Sequence, residues 1–247
     1  MNSGSAGPGS VVQTRDVAAI RTPGGASVRL LLDTSTDSDG RSEQAGLTRR
    51  LIEIPEHSHF DGRTGSAGDL CYVLDGTGRL TMAGHPDQTL HSNLGLLLPA
   101  AAEYRLIADG PGGLKLDVVS LPAEAGHALA ASMPMVHALP ECEVETTGDR
   151  QFRVLFGPGF GCKVATQFVG DIPPGRAPDH SHPYDEVVLV LSGEGIAHVG
   201  GRDHSVSAGT CLHLPPGRPH CMENTGTTTM RVLGVFHPAD SPAAKLS

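Results

Sequence analysis

The sequence contains no tryptophan, and aromatic residues make up only 4% of its 247 residues. A folded core must therefore be built mainly from aliphatic side chains. No apolar run reaches the roughly 20 residues that a membrane-spanning helix needs. Residues 1–10 lack the basic and apolar regions of a secretion signal, and we expect them to form a disordered tail. The motifs G-x-S-x-G, H-E-x-x-H and C-x-x-C are also missing, so serine hydrolase, zincin and thiol-redox functions have no support.

Basic residues are scarce as well. The chain has 18 Lys and Arg against 27 Asp and Glu, which gives a formal net charge of −9. This charge argues against nucleic acid or an anionic membrane as a main partner. The cysteines are odd in number and have no paired spacing, which predicts reduced thiols in a cytoplasmic protein. They are Cys71, Cys142, Cys162, Cys211 and Cys221.

Glycine and proline, by contrast, are abundant, with 32 and 19 residues. Such turn-rich usage is typical of many short strands, and the length suits one large or two small domains. The strongest chemical signal lies between Gly175 and Asn224. It reads G-x4-H-x-H-x3-E-x6-G, followed by G-x5-P-x-G-x2-H-x3-N.

The spacing of this stretch points to a metal site. Residues two apart in a strand face the same way, so His180 and His182 can aim their imidazoles at one point. Glu186 has the same parity, although Pro183 can bend the chain before it. A rigid turn rich in proline then delivers His220 onto a following strand. Three imidazoles and one carboxylate suit Fe, Mn, Ni, Cu or Zn, and the alternative is a hydrogen-bonded polar cluster.

The two motifs resemble those of the cupin superfamily. The second motif fits at every defined position, whereas the first has four rather than five residues between Gly175 and His180. The resemblance implies an all-β fold, a double-stranded β-helix or jelly-roll barrel. It also implies a metal held inside the barrel by the residues that match the motifs: His180, His182, Glu186 and His220.

The pattern occurs twice. The segment from Asp69 to Gly76 parallels that from Glu186 to Gly193, and residues 96–99 parallel residues 212–215. We interpret this as an internal duplication, and thus as a bicupin with two tandem barrels. The predicted first copy spans residues 11–122 and the second copy spans 146–240. Residues 123–145 link them, with a short helix expected over 123–131. The turn at Gly193 is expected to send the chain back.

The first copy departs from the pattern. It has His57 and His59, but nine residues separate His59 from Asp69, and we interpret them as an inserted loop. Tyr104 stands where the third histidine should be. His57, His59 and Asp69 could form a two-His-one-carboxylate site. The sequence favours the alternative, a structural barrel whose remaining polar groups bond each other, and hence one metal per chain.

Further residues have chemistry that the motifs do not use. Arg218 is a candidate to bind an anionic substrate group, or else an exposed turn residue. His198 and His213 are candidate bases, or else core or surface histidines. Val188, Val190 and Met222 are expected to line the cavity beside the ion.

Four protein ligands leave positions open for water, O2 or a chelating substrate, as in catalytic metal sites. The resulting hypothesis is a metal-dependent enzyme for a small organic molecule. An oxygenase, of the dioxygenase type, comes first, because an open His and carboxylate site suits Fe(II) and O2. A redox-neutral hydrolase, isomerase, cyclase or decarboxylase is the second hypothesis, and a non-enzymatic small-molecule-binding protein is the third. A homodimer formed through the sheets is also possible. The sequence assigns no catalytic residue.

Overall fold

The computed structural model describes residues 10–34, 46–122, 134–160 and 162–243. The predicted tail, apart from Ser10, and the predicted helix over 123–131 lie outside these ranges. The described chain is almost entirely β-structure, with two single-turn 3-10 helices at Thr14–Asp16 and Leu139–Glu141. Among these residues, no helix is long and apolar enough to cross a membrane.

The strands alternate with short turns along the whole chain. The first half forms β1 (Val11–Gln13), β2 (Ile20–Arg21), β3 (Ser27–Asp33), β4 (Thr48–Ile54), β5 (His59–Arg63), β6 (Asp69–Thr81), β7 (Gln88–His91), β8 (Leu94–Leu98), β9 (Glu103–Ala108), β10 (Leu114–Ser120) and β11 (Met135–Ala138). The second half forms β12 (Glu145–Thr147), β13 (Arg150–Phe156), β14 (Thr166–Ile172), β15 (Gly175–Arg176), β16 (Asp185–Ser192), β17 (Glu194–Val199), β18 (Arg202–Ser207), β19 (Thr210–Leu214), β20 (His220–Asn224) and β21 (Met230–His237).

Both halves repeat one strand order. In the second copy a seven-stranded sheet runs β1-β19-β16-β21-β14-β13-β12 and a four-stranded sheet runs β15-β20-β17-β18. In the first copy the main path runs β11-β8-β6-β10-β4-β3-β2, while β5, β9 and β7 join through the far end of β6. The predicted all-β fold is confirmed. The predicted closed barrels are not confirmed, because the sheets of the described chain have open edges.

A glycine marks the corner between the large and the small sheet. Gly193 has a φ of +88° and separates β16, which pairs with β19 and β21, from β17, which pairs with β18 and β20. A Cβ atom there would lie 2.7 Å from the Cα of Met230, so only glycine fits. The prediction that Gly193 reverses the chain was wrong. The chain continues forward into the other sheet, and the reversal comes at Gly200 and Gly201.

The large sheets are completed by exchanged strands. β1 pairs with β19 of the second copy, with Val11 opposite Leu212. β11 lies beyond the first copy in sequence order and pairs with β8, with Met135 opposite Leu97. Each exchanged strand covers an edge that would otherwise present unpaired backbone groups. β1 thus lies within residues 11–122 but belongs to the large sheet of the second copy.

The two large sheets pack face to face. The opposite face of each large sheet packs on the small sheet of its own copy, which in the first copy consists of β5, β7, β9 and the far end of β6. On β16, Val187 and Leu189 belong to the cluster between the large sheets, whereas Val188 and Val190 belong to the interior of the second copy. This alternation confirms the parity predicted for the residues that follow Glu186. Since both faces of β16 are buried, its register is strongly fixed, and with it the position of Glu186.

Candidate metal centre

The backbone around the predicted ligands is held by short-range pairing rather than by a long strand. His180 and His220 form an isolated antiparallel bridge, with hydrogen bonds from the N–H of His180 to the carbonyl of His220 (3.0 Å) and in return (2.8 Å). The carbonyl of His182 accepts a hydrogen bond from the N–H of Gly217 at 2.8 Å. The predicted strand over His180 and His182 is thus only a bridge. The turn before His220 lies where the sequence predicts it.

Three of the four predicted ligands converge. Ligand atoms of His182, Glu186 and His220 all lie within 4.8 Å of one another, and all three residues are buried. His180 lies outside this group but beside it, with its ring centroid 4.6 Å from that of His220. The structure therefore places the fourth predicted residue at the edge of the cluster.

Hydrogen bonds to backbone carbonyls fix the three imidazoles in one tautomer. Nδ1 of His182 lies 2.8 Å from the carbonyl oxygen of Tyr184, and Nδ1 of His220 lies 2.9 Å from that of Arg218. Nδ1 of His180 lies 3.3 Å from the carbonyl of Pro178. A carbonyl only accepts, so each Nδ1 carries the proton and each Nε2 keeps its lone pair for a metal.

The electrostatics of the site fit a cation. Nε2 of His182 lies 2.9 Å from Oε2 of Glu186, yet it is buried and has no hydrogen bond of proper geometry. Two atoms that both present lone pairs are compatible at this separation when a cation lies between them. Burial lowers the pKa of His220 to about 4 and also lowers the pKa of His180. Both rings are therefore neutral near pH 7, the form that binds a metal.

A cavity of about 410 Å³ opens beside these residues, between the large and small sheets of the second copy. Stacked rings run along one wall: His182 on Tyr184, and Tyr184 on Phe236, with centroids 4.0 Å apart in each pair. The other apolar side chains in the lining are Phe152, Phe168, Ile172, Ala177, Pro178, Val188, Leu214, Met222, Val232 and Pro242. Val188 and Met222 thus line the cavity as predicted, while Val190 is packed in the core behind it.

The predicted auxiliary residues do not reach the cavity. Arg218 is exposed on the turn, where its side chain lies over Gly200. His213 faces the other side of β19 and is 2.5 Å from a carboxylate oxygen of Asp185. His198 lies on the outer face of the small sheet. The sequence missed Arg150, which does line the cavity, because it belongs to a hairpin outside both motifs and no local pattern marks it.

The pairing register corrects the alignment of the first copy. Gly62 is paired with Tyr104 as His180 is paired with His220, so the counterpart of His180 is Gly62 rather than His57. The predicted inserted loop after His59 is wrong, since residues 59–63 form β5. Asp69 follows Gly62 by seven positions and Glu186 follows His180 by six, so a single extra residue lies between Gly62 and Asp69.

The polar residues of the first copy do not converge. The side chain of His57 is 82% exposed, and that of His59 is 39% exposed and lies near Asp61. Asp69 is fully buried and pairs with Arg50 at 3.2 Å. Tyr104 is packed over Gly62, where an added Cβ would lie 2.3 Å from the phenol ring. The structure therefore separates His57 and His59 from Asp69.

Comparison with known proteins finds one family model and one curated relative that each match part of the chain. Residues 168–236 match the family model described as "Cupin domain". A curated "Oxalate-binding protein" from Thermotoga maritima is 36% identical over 67 residues, which are 26% of this chain and 55% of that protein. The match thus spans about half the length of this relative. The match to the family model lies within the second copy.

Solved structures resemble the chain over nearly its whole length. A mutant of Bacillus subtilis oxalate decarboxylase has a TM-score of 0.74 at 14% identity, covering 99% of this chain and 80% of that one. A Pseudomonas aeruginosa protein described as glyoxylate-induced has a TM-score of 0.76 at 13% identity, covering 99% and 96%. Protein Ylba from E. coli has a TM-score of 0.73 at 13% identity, covering 97% and 96%. At such identities the likeness shows the fold, an all-β cupin jelly roll.

Proposed function

We propose that this chain is a metal-dependent bicupin enzyme that acts on a small organic molecule. Its second copy would hold one divalent transition metal through His180, His182, Glu186 and His220. The observation that carries the proposal is the buried Nε2 of His182, 2.9 Å from Glu186 without a hydrogen bond, at the wall of a cavity. A structural polar cluster would pair these atoms with each other, whereas a metal site leaves their lone pairs for the ion.

The bicupin part rests on the repeated strand order. Residues 11–122 and 146–240 would be the two copies, joined by 123–145, with β1 and β11 exchanged between their sheets. Structural neighbours that cover 97–99% of the chain support this reading, because their likeness extends well beyond the cupin match at 168–236. The five cysteines are free thiols, which supports our proposal of a reducing, cytoplasmic location.

The donor set narrows the metal to the borderline divalent ions Fe, Mn, Ni, Cu and Zn. Among the structural neighbours, the oxalate decarboxylase of Bacillus subtilis is described as having Mn(II) centres, which favours trying Mn first. When bound, such an ion acts as a Lewis acid, and Fe or Mn also exchanges electrons. The protein's part is to keep the imidazoles of His180 and His220 neutral, to orient the ligand rings through their Nδ1–H bonds and to surround the open side with apolar groups.

An oxygenase is our first reaction class, because the open side of the ligand set faces a largely apolar cavity that suits O2 and an organic substrate. A redox-neutral decarboxylase is the second. It is favoured by the descriptions of two similar proteins, an oxalate decarboxylase and an oxalate-binding protein. Burial and the charge of Glu186 raise the pKa of Tyr184, so this cavity residue keeps its phenolic proton in either reaction.

The test combines metal analysis with gas measurement. Purified protein, loaded in turn with Fe(II) and Mn(II), is supplied with small carboxylic acids under air and under argon. Substrate turnover that consumes O2 under air and stops under argon supports the oxygenase. CO2 release that persists under argon supports the decarboxylase. Metal-loaded protein that binds a ligand without consuming it would support a binding protein. Absence of bound metal after loading would overturn the proposal.

A further inference from the structure

Arg150 brings a positive charge into the cavity from a hairpin turn. It is the first residue of β13 and is paired with Thr147 across the two-residue turn Gly148–Asp149. Gly148 has a φ of +63°, a conformation that suits glycine and lets the turn close tightly. Nη2 of Arg150 donates a hydrogen bond to the carbonyl of Met222 at 3.0 Å. This bond holds the guanidinium beside β20, two residues beyond His220.

The charge of Arg150 is not balanced by a carboxylate in the described part of the chain. Asp171 in the same lining is already engaged by Arg231, with two hydrogen bonds of 2.7 and 3.1 Å. Asp149 acts on Arg150 only at longer range, and burial outweighs it, so the pKa of Arg150 is lowered. An arginine stays charged even so, and four of its five N–H donors remain for a ligand.

The remaining lining is mostly apolar and roomy. The aromatic rings of Phe168 and Phe236 lie 5.9 Å apart at a tilt of 56° and form one wall. The volume of about 410 Å³ falls within the range of roughly 300–1,000 Å³ found for sites of drug-sized molecules. A two-carbon dianion such as oxalate would leave most of this space, and the apolar wall, without contact.

We propose that the cavity binds a monocarboxylate with an apolar body of aromatic size, and that Arg150 determines this specificity. The guanidinium binds the carboxylate through two parallel N–H donors. The body of the ligand lies against Phe168 and Phe236, where it is removed from water. This inference rests on the proposed function, because it assigns the substrate class of the same site.

Calorimetric titration with defined probes tests the inference. The probes are 3-phenylpropanoate, its neutral amide 3-phenylpropanamide, acetate and oxalate, each titrated into metal-free and Mn-loaded protein. We expect 3-phenylpropanoate to bind on the order of 10- to 100-fold tighter than the amide, as for a hydrogen-bonded charge. It should also bind more tightly than acetate and oxalate.

Variants assign the effect to Arg150. Arg150→Gln should remove the preference for the acid over the amide, and Arg150→Lys should keep part of it. Arg218→Gln is the matched control, an exposed arginine in the same copy, and should change nothing. Circular dichroism shows whether each variant is folded. If Arg150→Gln does not fold, the comparison of acid and amide is made with Arg150→Lys instead.

The outcomes separate the inference from the proposed function. A preference that survives in Arg150→Gln, tighter binding of oxalate, or no binding of 3-phenylpropanoate would overturn the inference. If metal-loaded wild type contains the ion but shows one of these results, the inference alone fails. If the protein binds no metal yet still selects the acid through Arg150, the proposed function alone fails.

Discussion

Nη2 of Arg50 lies 3.2 Å from Oδ2 of Asp69, inside the first copy. By register Asp69 corresponds to Glu186, since Asp69 is opposite Leu98 and Glu186 is opposite Leu214. Arg50 corresponds in the same way to Phe168. In the first copy, the guanidinium of Arg50 therefore pairs with the buried carboxylate of Asp69. The equivalent carboxylate in the second copy, that of Glu186, is a candidate metal ligand.

Arg50→Met should destabilise the protein. It leaves the fully buried Asp69 without its cation, and because Arg50 is itself 24% exposed we expect a loss of about 2–3 kcal/mol, below the full effect of breaking a buried pair. Urea unfolding of the wild type and the variant measures the change. The double variant Arg50→Met/Asp69→Leu should recover most of the loss. A double variant as unstable as the single one would show that Arg50 acts by packing.

His182→Ala and Glu186→Gln should each lower metal affinity by at least roughly 10–100-fold. That range is typical of substitutions at residues that only orient a metal ligand, so removing a ligand should cost at least as much. Both variants should stay folded, since the core of the second copy is aliphatic. Elemental analysis and circular dichroism provide the two measurements. His57→Ala removes an exposed imidazole and is the control. Full occupancy in either ligand variant would contradict the assignment.

Tyr104→His should leave the metal stoichiometry at one per chain. A histidine there would face Gly62, not an imidazole, while Asp69 remains bound to Arg50. The measurement is metal per chain by elemental analysis in both proteins. Two equivalents in the wild type, or a second equivalent in the variant, would show that the first copy is closer to a working site than its register indicates.

Metal occupancy should fall on acidification, but below the usual histidine range. Protons compete for the Nε2 lone pairs, and burial lowers the pKa of His220 to about 4 and lowers that of His180. We therefore expect most of the metal to be retained at pH 6 and lost as the pH falls towards 4. Dialysis at stepped pH, followed by elemental analysis, gives the curve. Loss of the metal above pH 6.5 would contradict this.

His198 should stabilise the fold at lower pH. Its Nε2 lies 2.9 Å from Glu223 and its Nδ1 lies 2.6 Å from Asp203, and these carboxylates raise its pKa, Glu223 most. A raised pKa means that the folded state binds the proton more tightly. This stabilisation is complete below about pH 6.5, the ordinary pKa, and is lost as the pH rises through the folded pKa.

Melting temperatures of wild type and His198→Asn, recorded from pH 5 to 9, measure that effect. The difference between them should be largest at the acidic end and should shrink as the pH rises. His204→Asn, on the neighbouring strand β18, is the control. A difference that is constant with pH would mean that the imidazole contributes without its charge.

Local spacing was enough to predict the parts of the site that depend on neighbouring residues. The parity of Glu186, Val188 and Val190 follows from strand geometry alone, and the proline-rich turn delivers His220 as predicted. The three-residue convergence was therefore accessible from the motifs. The all-β class was also accessible, because short aliphatic segments alternate with glycine and proline turns along the chain.

Features set by long-range pairing were not accessible. The counterpart of His180 is decided by hydrogen bonds between β5 and β9, some forty residues apart in sequence, and no spacing of histidines reveals them. Gly193 has the same sequence signature whether it reverses a strand or bends it into another sheet. Arg150 reaches the cavity through the hairpin of β13 with β12, the outermost strand of the large sheet, and neither motif includes these strands.

The exchange of β1 and β11 makes the halves of the chain interdependent. A chain opened between β10 and β11 would yield two fragments, each carrying the outermost strand of the other's large sheet. Neither fragment could satisfy its own edge, yet together they would have every hydrogen-bonded strand of the intact protein. A fragment built around one large sheet therefore lacks one of that sheet's own strands. The half without the candidate ligand cluster supplies a strand to the half that contains it.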